Sequence, residues 1–186
     1  MKDTVLRVGI FVAASTAFAM LTRRSLRSPR SHGFYRFFAF ELVLALVLLD
    51  APGWFRQMLS IRQVVSSCLL TASLGLAIEG FRVIRKNGRP VSNAPPGSNL
   101  WFENTTTLVR VGVYRFIRHP MYSSVLALGW GTFLKRPSAI CLGLALGASG
   151  FLVATSVVEE RENLAKFGAA YAAYMKTTRR FVPFLI

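Results

Sequence analysis

The chain has 186 residues, 53% of them hydrophobic, and a formal charge of +15; its mean hydropathy is +0.43. A soluble domain of this size is less apolar. In a soluble protein such a charge points to nucleic acid, but here the basic residues sit between apolar blocks, so the positive-inside bias of membrane proteins explains them and no nucleic-acid partner is expected.

The first block, Val5–Leu21, with its flanks approaches the roughly 20 residues a spanning helix needs. Arg23, Arg24, Arg27 and Arg30 follow the apolar run rather than precede it. That order opposes a cleaved signal peptide and favours a first span. The second block, Phe37–Leu49, crosses if Phe34–Arg36 sit at the interface. It carries Glu41, and the third block, Val64–Ile78, ends beside Glu79. Ionisable residues at that depth are functional suspects, with pairing to Arg36 or Arg82 as the structural alternative. Residues 86–108 are polar and turn-rich, with Asn87-Gly88 and Asn93-Ala94-Pro95-Pro96-Gly97. Trp101 and Phe102 suit a headgroup-level anchor. The sequon Asn104-Thr105-Thr106 falls in a loop predicted cytoplasmic and is discounted.

The fourth block, Met121–Leu134, is short. With Ala139–Val158 it predicts a helical hairpin turning at Lys135-Arg136-Pro137. Beyond it, Glu159-Glu160-Arg161-Glu162-Asn163 starts where the apolar run stops, and Leu164, Phe167, Tyr171 and Tyr174 recur at helical spacing. Glu162 and Lys166 form a favourable i,i+4 pair. The expected fold is all-α and integral to a membrane: about five transmembrane helices, with four as the alternative, a C-terminal hairpin and a cytoplasmic amphipathic helix. Residues 1–85 form the N-terminal spans and 86–186 a second, chemistry-bearing region. Basic segments alternate between sides, which predicts the N-terminus outside and the C-terminus inside. Cys68 and Cys141 lie within predicted spans and are read as packing residues rather than a disulfide. No metal site is expected.

Two segments could carry chemistry. Gly112-Val113-Tyr114-Arg115-Phe116-Ile117-Arg118-His119-Pro120-Met121-Tyr122 places arginines, a histidine and tyrosines at the mouth of a membrane helix. Pro120 suits the first helical position, and the helix N-terminus beside Arg118 and His119 suits an anion. An interfacial basic cluster is the plainer alternative. Glu159-Glu160 stands out because the chain has only eight acidic residues. It could accept hydrogen bonds from hydroxyls or an amine; a solvated helix turn is the alternative. A tight hairpin returns both segments to one membrane face, where an anion site beside carboxylates suits a ligand of mixed charge.

Leu108–Tyr122 resembles the "GpYryvRHPmY" signature of the isoprenylcysteine carboxyl methyltransferase and phospholipid methyltransferase superfamily. Glu159-Glu160, Phe167-Gly168, Tyr171, Tyr174 and Pro183 resemble its C-terminal pattern. The likeness covers residues 108–186 and departs at Val113, where proline is usual, and at Ser123-Ser124. It implies an S-adenosylmethionine pocket on the cytoplasmic side, with Tyr114, Arg118, His119, Pro120, Tyr122, Glu159 and Glu160 as cofactor-binding candidates and Tyr171 and Tyr174 as lining ones. Glu41, Glu79 and Arg180 are the catalytic candidates; Arg180 or Arg110 could hold a substrate carboxylate. The implied acceptor is lipid-like or hydrophobic, in a setting of membrane lipids. Prenylcysteine carboxylate, phospholipid amine and small thiol all stay open. A sterol-reductase-like enzyme using a nicotinamide cofactor and a non-catalytic scaffold are the competing readings. Oligomeric state is not legible.

Overall fold

The computed structural model describes residues 2–51, 54, 60–88 and 107–183. Six α-helices follow one another: α1 (Lys2–Leu26), α2 (His32–Asp50), α3 (Ile61–Asn87), α4 (Pro120–Lys135), α5 (Ala139–Phe167) and α6 (Ala169–Thr177). A 3-10 turn, Gly112–Arg115, precedes α4. The described residues form no strand beyond an isolated parallel bridge, Ile117 to Arg179. The fold is thus all-α. Among the described residues, α1, α2, α3 and α5 are long and apolar enough to cross a membrane. With 16 residues, α4 is about 24 Å long, shorter than the ~30 Å hydrocarbon core. It is the short arm of the hairpin, and the length criterion gives the four-span count held as the alternative. Trp101, Phe102 and the Asn104 sequon lie outside the described residues.

Polar caps mark where the helices begin. Ser31, Ser60 and Ser138 accept from the N–H groups of Gly33, Gln63 and Cys141 at 3.1–3.3 Å, satisfying donors that a helix start leaves open. Proline occupies the first position of α4. The predicted amphipathic helix is interrupted: α5 carries it on from the last span as far as Phe167 and stops at Gly168. That residue has φ +55°, and its N–H closes on the Leu164 carbonyl at 2.9 Å. Glycine adopts this left-handed conformation at little cost, so α6 is a separate helix of nine residues.

Two antiparallel pairs make the bundle. On α2, Ala39, Val43 and Leu46 are buried; on α5, so are Ala145, Ala148 and Leu152. Cys141 Sγ meets Asp50 Oδ1 at 3.3 Å at one end of that pair, and His32 Nδ1 meets Glu162 Oε2 at 2.5 Å at the other. On α3, Gln63, Ser66 and Ser73 donate to the carbonyls of Lys135, Gly131 and Ser124 on α4 at 2.6–2.9 Å. Lipid supplies no hydrophobic drive between helices, so such bonds and small residues hold the contact. Helix α1 packs chiefly on α2, through Phe18 stacked on Phe37 and Phe40. The two pairings bring the N-terminus of α2, the C-terminal ends of α3 and α5, and the N-terminus of α4 to one end of the bundle.

Candidate functional site

Between α3 and α4 the chain passes close against α3 at Gly112. Its φ is +60°, and a Cβ there would lie 2.7 Å from Val83 Cγ2 of α3. Gly112→Ala is therefore expected to lower stability twice over, by about 1–2 kcal/mol for the left-handed backbone and by about 1–3 kcal/mol for the overlap. Thermal unfolding in mild detergent checks this, and adding Val83→Ala should recover only the overlap part.

After the 3-10 turn, the chain runs beside the C-terminal segment. Arg179 N–H donates to the Phe116 carbonyl at 3.0 Å, and the N–H groups of Arg118 and His119 donate to the carbonyls of Arg179 and Arg180 at 2.7 and 3.1 Å. Tyr174 Oη donates to the Tyr114 carbonyl at 2.6 Å, and Ser123 Oγ to that of Phe181 at 2.7 Å. Helix α6 and the segment after it are thereby tied across the mouth of α4.

The two carboxylates beyond the apolar stretch of α5 do different things. Glu160 is 3% exposed. Its Oε1 accepts from Arg118 Nε at 2.8 Å and Arg180 Nε at 3.2 Å, and lies 3.3 Å from His119 Nε2; its Oε2 accepts from Arg180 Nη2 at 2.5 Å. Burial opposes ionisation of this carboxyl, but the bonds from His119, Arg180 and Arg118 outweigh it and hold it well below the usual carboxylate range. Arg118 also reaches the carbonyls of Met175 at 3.3 Å and Thr178. Glu160 thus joins α5, the Arg118-His119 step and the C-terminal segment. Glu159, one residue earlier, points elsewhere: it accepts from Tyr122 Oη at 2.6 Å and lies 3.7 Å from His119 Nδ1. The His119 ring stacks on Tyr122, centroids 5.3 Å apart.

A cavity of about 180 Å³ opens here. Tyr114, Arg118, His119, Pro120, Met121 and Tyr122 line it, with Glu159, Asn163 and Phe167 of α5 and Tyr171 and Tyr174 of α6. Arg36 and Phe40 of α2 and Ile84 of α3 complete the lining, with Thr107–Val109. Burial, and for Tyr171 the nearby Glu159 charge, push both α6 phenols above their ordinary range, so they remain O–H donors at neutral pH.

Eight of the nine cofactor candidates therefore share one cavity wall, and Glu160 stands behind it. Of the catalytic candidates, Arg180 is also behind the wall, on Glu160. Glu79 lies beside Gly112 on α3, and Glu41 accepts from Ser15 Oγ at 2.5 Å between α1 and α2; neither lines the cavity. Arg36, Phe40 and Asn163 were not singled out as site residues from sequence. Their signal was weak: Arg36 reads as an interfacial charge and Phe40 as one aromatic among many in an apolar run.

A family model described as phospholipid methyltransferase matches residues 61–170, more than half of the chain. The matched stretch runs from the start of α3 to the start of α6. No curated protein and no solved structure matches.

Proposed function

The chain belongs to the phospholipid methyltransferase family, and on that premise we propose that it transfers a methyl group from S-adenosylmethionine to a lipid-like or otherwise hydrophobic acceptor. The observation that carries this reading is the cavity itself: charged groups of both signs and four phenols line it together with apolar side chains of the membrane helices, Phe40, Ile84 and Met121. Membrane methyltransferase activity follows from the family; the methyl donor and the class of acceptor are the proposal.

The donor set fits S-adenosylmethionine. Glu159, already holding Tyr122, can accept from ribose hydroxyls or an amine, and Asn163 stands one turn further on the same helix. Phe167, Tyr171 and Tyr174 offer aromatic faces to a base. When bound, the cofactor supplies a methyl group on a cationic sulfur, a good leaving group. The protein's remaining task is alignment and exclusion of water. Tyr122 and His119, locked by stacking and by Glu159, fix one side of the site. Ile84, Phe40 and Met121 keep the other apolar. At about 180 Å³ the cavity is smaller than the ~300–1,000 Å³ usual for ligand sites, so a nucleoside-sized ligand projects through its mouth.

The basic residues Arg23 and Arg24, Arg82, Arg85 and Lys86, and Lys176 and Arg179 gather at this same end of the bundle. That supports a site facing the cytoplasm, with the N-terminus of α1 on the other side. A carboxylate or thiolate acceptor needs no general base; an amine must first lose a proton.

Methyl-labelled S-adenosylmethionine, incubated with the purified protein and a membrane lipid extract, tests the reading. Label is expected in the organic phase, and S-adenosylhomocysteine at 100-fold its Kd is expected to add about 2.7 kcal/mol of stability. No incorporation, together with stabilisation by NADPH instead, overturns it in favour of the reductase.

A further inference from the structure

The parts of the cavity wall differ in how they are held. Those from α2 to α5 belong to the bundle helices. Two others are smaller pieces: the stretch Thr107–Val109, ahead of the 3-10 turn, and the nine-residue helix α6. Leu108 and Val109 are half-buried against the cavity, while Thr107, Arg110 and Val111 are exposed. From Gly112 onward the chain is pressed against Val83 of α3. Arg110 joins the two smaller pieces. Its Nη2 donates to the Ala170 carbonyl in the first turn of α6, and its guanidinium carbon lies 5.7 Å from the centroid of the Tyr174 ring. Tyr174 lines the cavity and Arg110 does not, so the guanidinium stands behind the ring. It is turned to α6 rather than offered to a substrate carboxylate inside the cavity.

A planar cation suits both contacts, a hydrogen bond from its edge and stacking by its face. Both are made at the protein surface, where such interactions are modest. They keep a closed state populated without locking it. At about 180 Å³ the cavity is smaller than the ~300–1,000 Å³ of most ligand sites. A nucleoside-sized ligand that enters it and projects through its mouth has to displace part of this cover. We propose that residues 107–111 form a flap, that Arg110 clasps the flap to α6, and that ligand exchange waits on release of this clasp. Arg110 is thus a positioning residue, acting through Tyr174 and Ala170. The identity of the ligand rests on the methyltransferase reading, but the clasp can be measured without any ligand.

Two measurements on the full chain in mild detergent supply the test. The first is surface plasmon resonance with S-adenosylhomocysteine as the probe. In Arg110→Ala, association and dissociation are both expected to quicken by roughly 5–50-fold, leaving Kd within threefold, because the clasp closes the empty and the filled cavity alike. Arg110→Lys, which keeps the charge but not the planar face, should give a smaller rise in both rates. Arg115→Ala removes the same charge from a guanidinium that lies over Phe116 instead, and should leave both rates within twofold of the wild type. The second measurement is hydrogen exchange on the ligand-free protein. Amides of residues 107–111 and of α6 should exchange faster in Arg110→Ala, while those of α4 stay unchanged. Thermal unfolding confirms that each variant is folded, and the comparison of wild type with Arg110→Lys stands if Arg110→Ala does not fold. Dissociation that quickens alone, with Kd weakened in proportion, would overturn the proposal, since Arg110 would then touch the ligand. So would unchanged rates in Arg110→Ala, equal effects in Arg115→Ala, or hydrogen exchange that does not differ from the wild type. A wild type that binds no S-adenosylhomocysteine, with the exchange difference intact, sinks the methyl-donor reading and leaves the clasp standing.

Discussion

Alanine at Glu160 is expected to cost about 3–5 kcal/mol of stability, the penalty for removing one partner of a buried charge pair, and to abolish ligand binding in the cavity. Arg118 and Glu160 are buried together, their side chains 9% and 4% exposed. Without the carboxylate, the Arg118 guanidinium is left in the interior with only the neutral oxygens of Met175 and Thr178 to bind. The joint between α5, the Arg118-His119 step and the C-terminal segment then opens, and Tyr171 and Tyr174 of α6 lose their anchorage. Glu160→Gln keeps the shape and one acceptor oxygen and should lose less. The pH dependence has a definite sign. The folded-state carboxyl lies below its ordinary value of 4.5, so its contribution is fully present above that value and is lost as pH falls through the lower folded-state value. The stability difference between wild type and Glu160→Gln should thus be constant near neutrality and shrink only in acid below about pH 4.3, the reference for an unfolded glutamate. Thermal unfolding of both proteins across pH 3–8 reads this directly.

Glu159→Gln should behave in the opposite way. The residue is 26% exposed at its side chain and lines the cavity, so its loss leaves no buried cation stranded. Stability should change by less than about 1 kcal/mol, as for other partly exposed pairs. Hydrogen bonds to a charged group are worth about 1.5–3 kcal/mol, so affinity for S-adenosylhomocysteine should fall by roughly 10–100-fold. Two adjacent glutamates separating into one that holds the fold and one that holds the ligand is a sharp expectation. Calorimetric affinity and unfolding temperature, measured on the same preparations, check it.

This division was not legible in the sequence, for a geometric reason. Successive residues on a helix point about 100° apart, so Glu159 turns to Tyr122 and Glu160 to Arg118 and Arg180. A sequence pattern says that the pair is present but not which member faces inward. The same ambiguity hid Arg36. In a membrane helix both the lipid-facing and the packed sides are apolar, so periodicity does not reveal which side meets a cavity. Glu41 and Glu79 stand out as intramembrane acids, yet Glu41 on α2 turns to Ser15 of α1 and Glu79 on α3 lies against the Gly112 turn. By contrast, the spans, the turn at Lys135-Arg136-Pro137 and the approach of the Arg118-His119 segment to the Glu pair were readable. Those depend on length, polarity and chain order rather than on azimuth. The break at Gly168 fell between: the glycine was visible, but the aromatic spacing across it suggested one continuous helix.

Titration of the wild-type protein with S-adenosylmethionine by calorimetry, in mild detergent at neutral pH, bears most directly on the central claim. Saturable one-to-one binding that weakens at least tenfold in Glu159→Gln, with unfolding temperature unchanged, is the expected result. A folded wild-type protein that takes up no S-adenosylmethionine, or a Glu159→Gln variant that binds it equally well, would contradict the assignment of this cavity as the methyl-donor site.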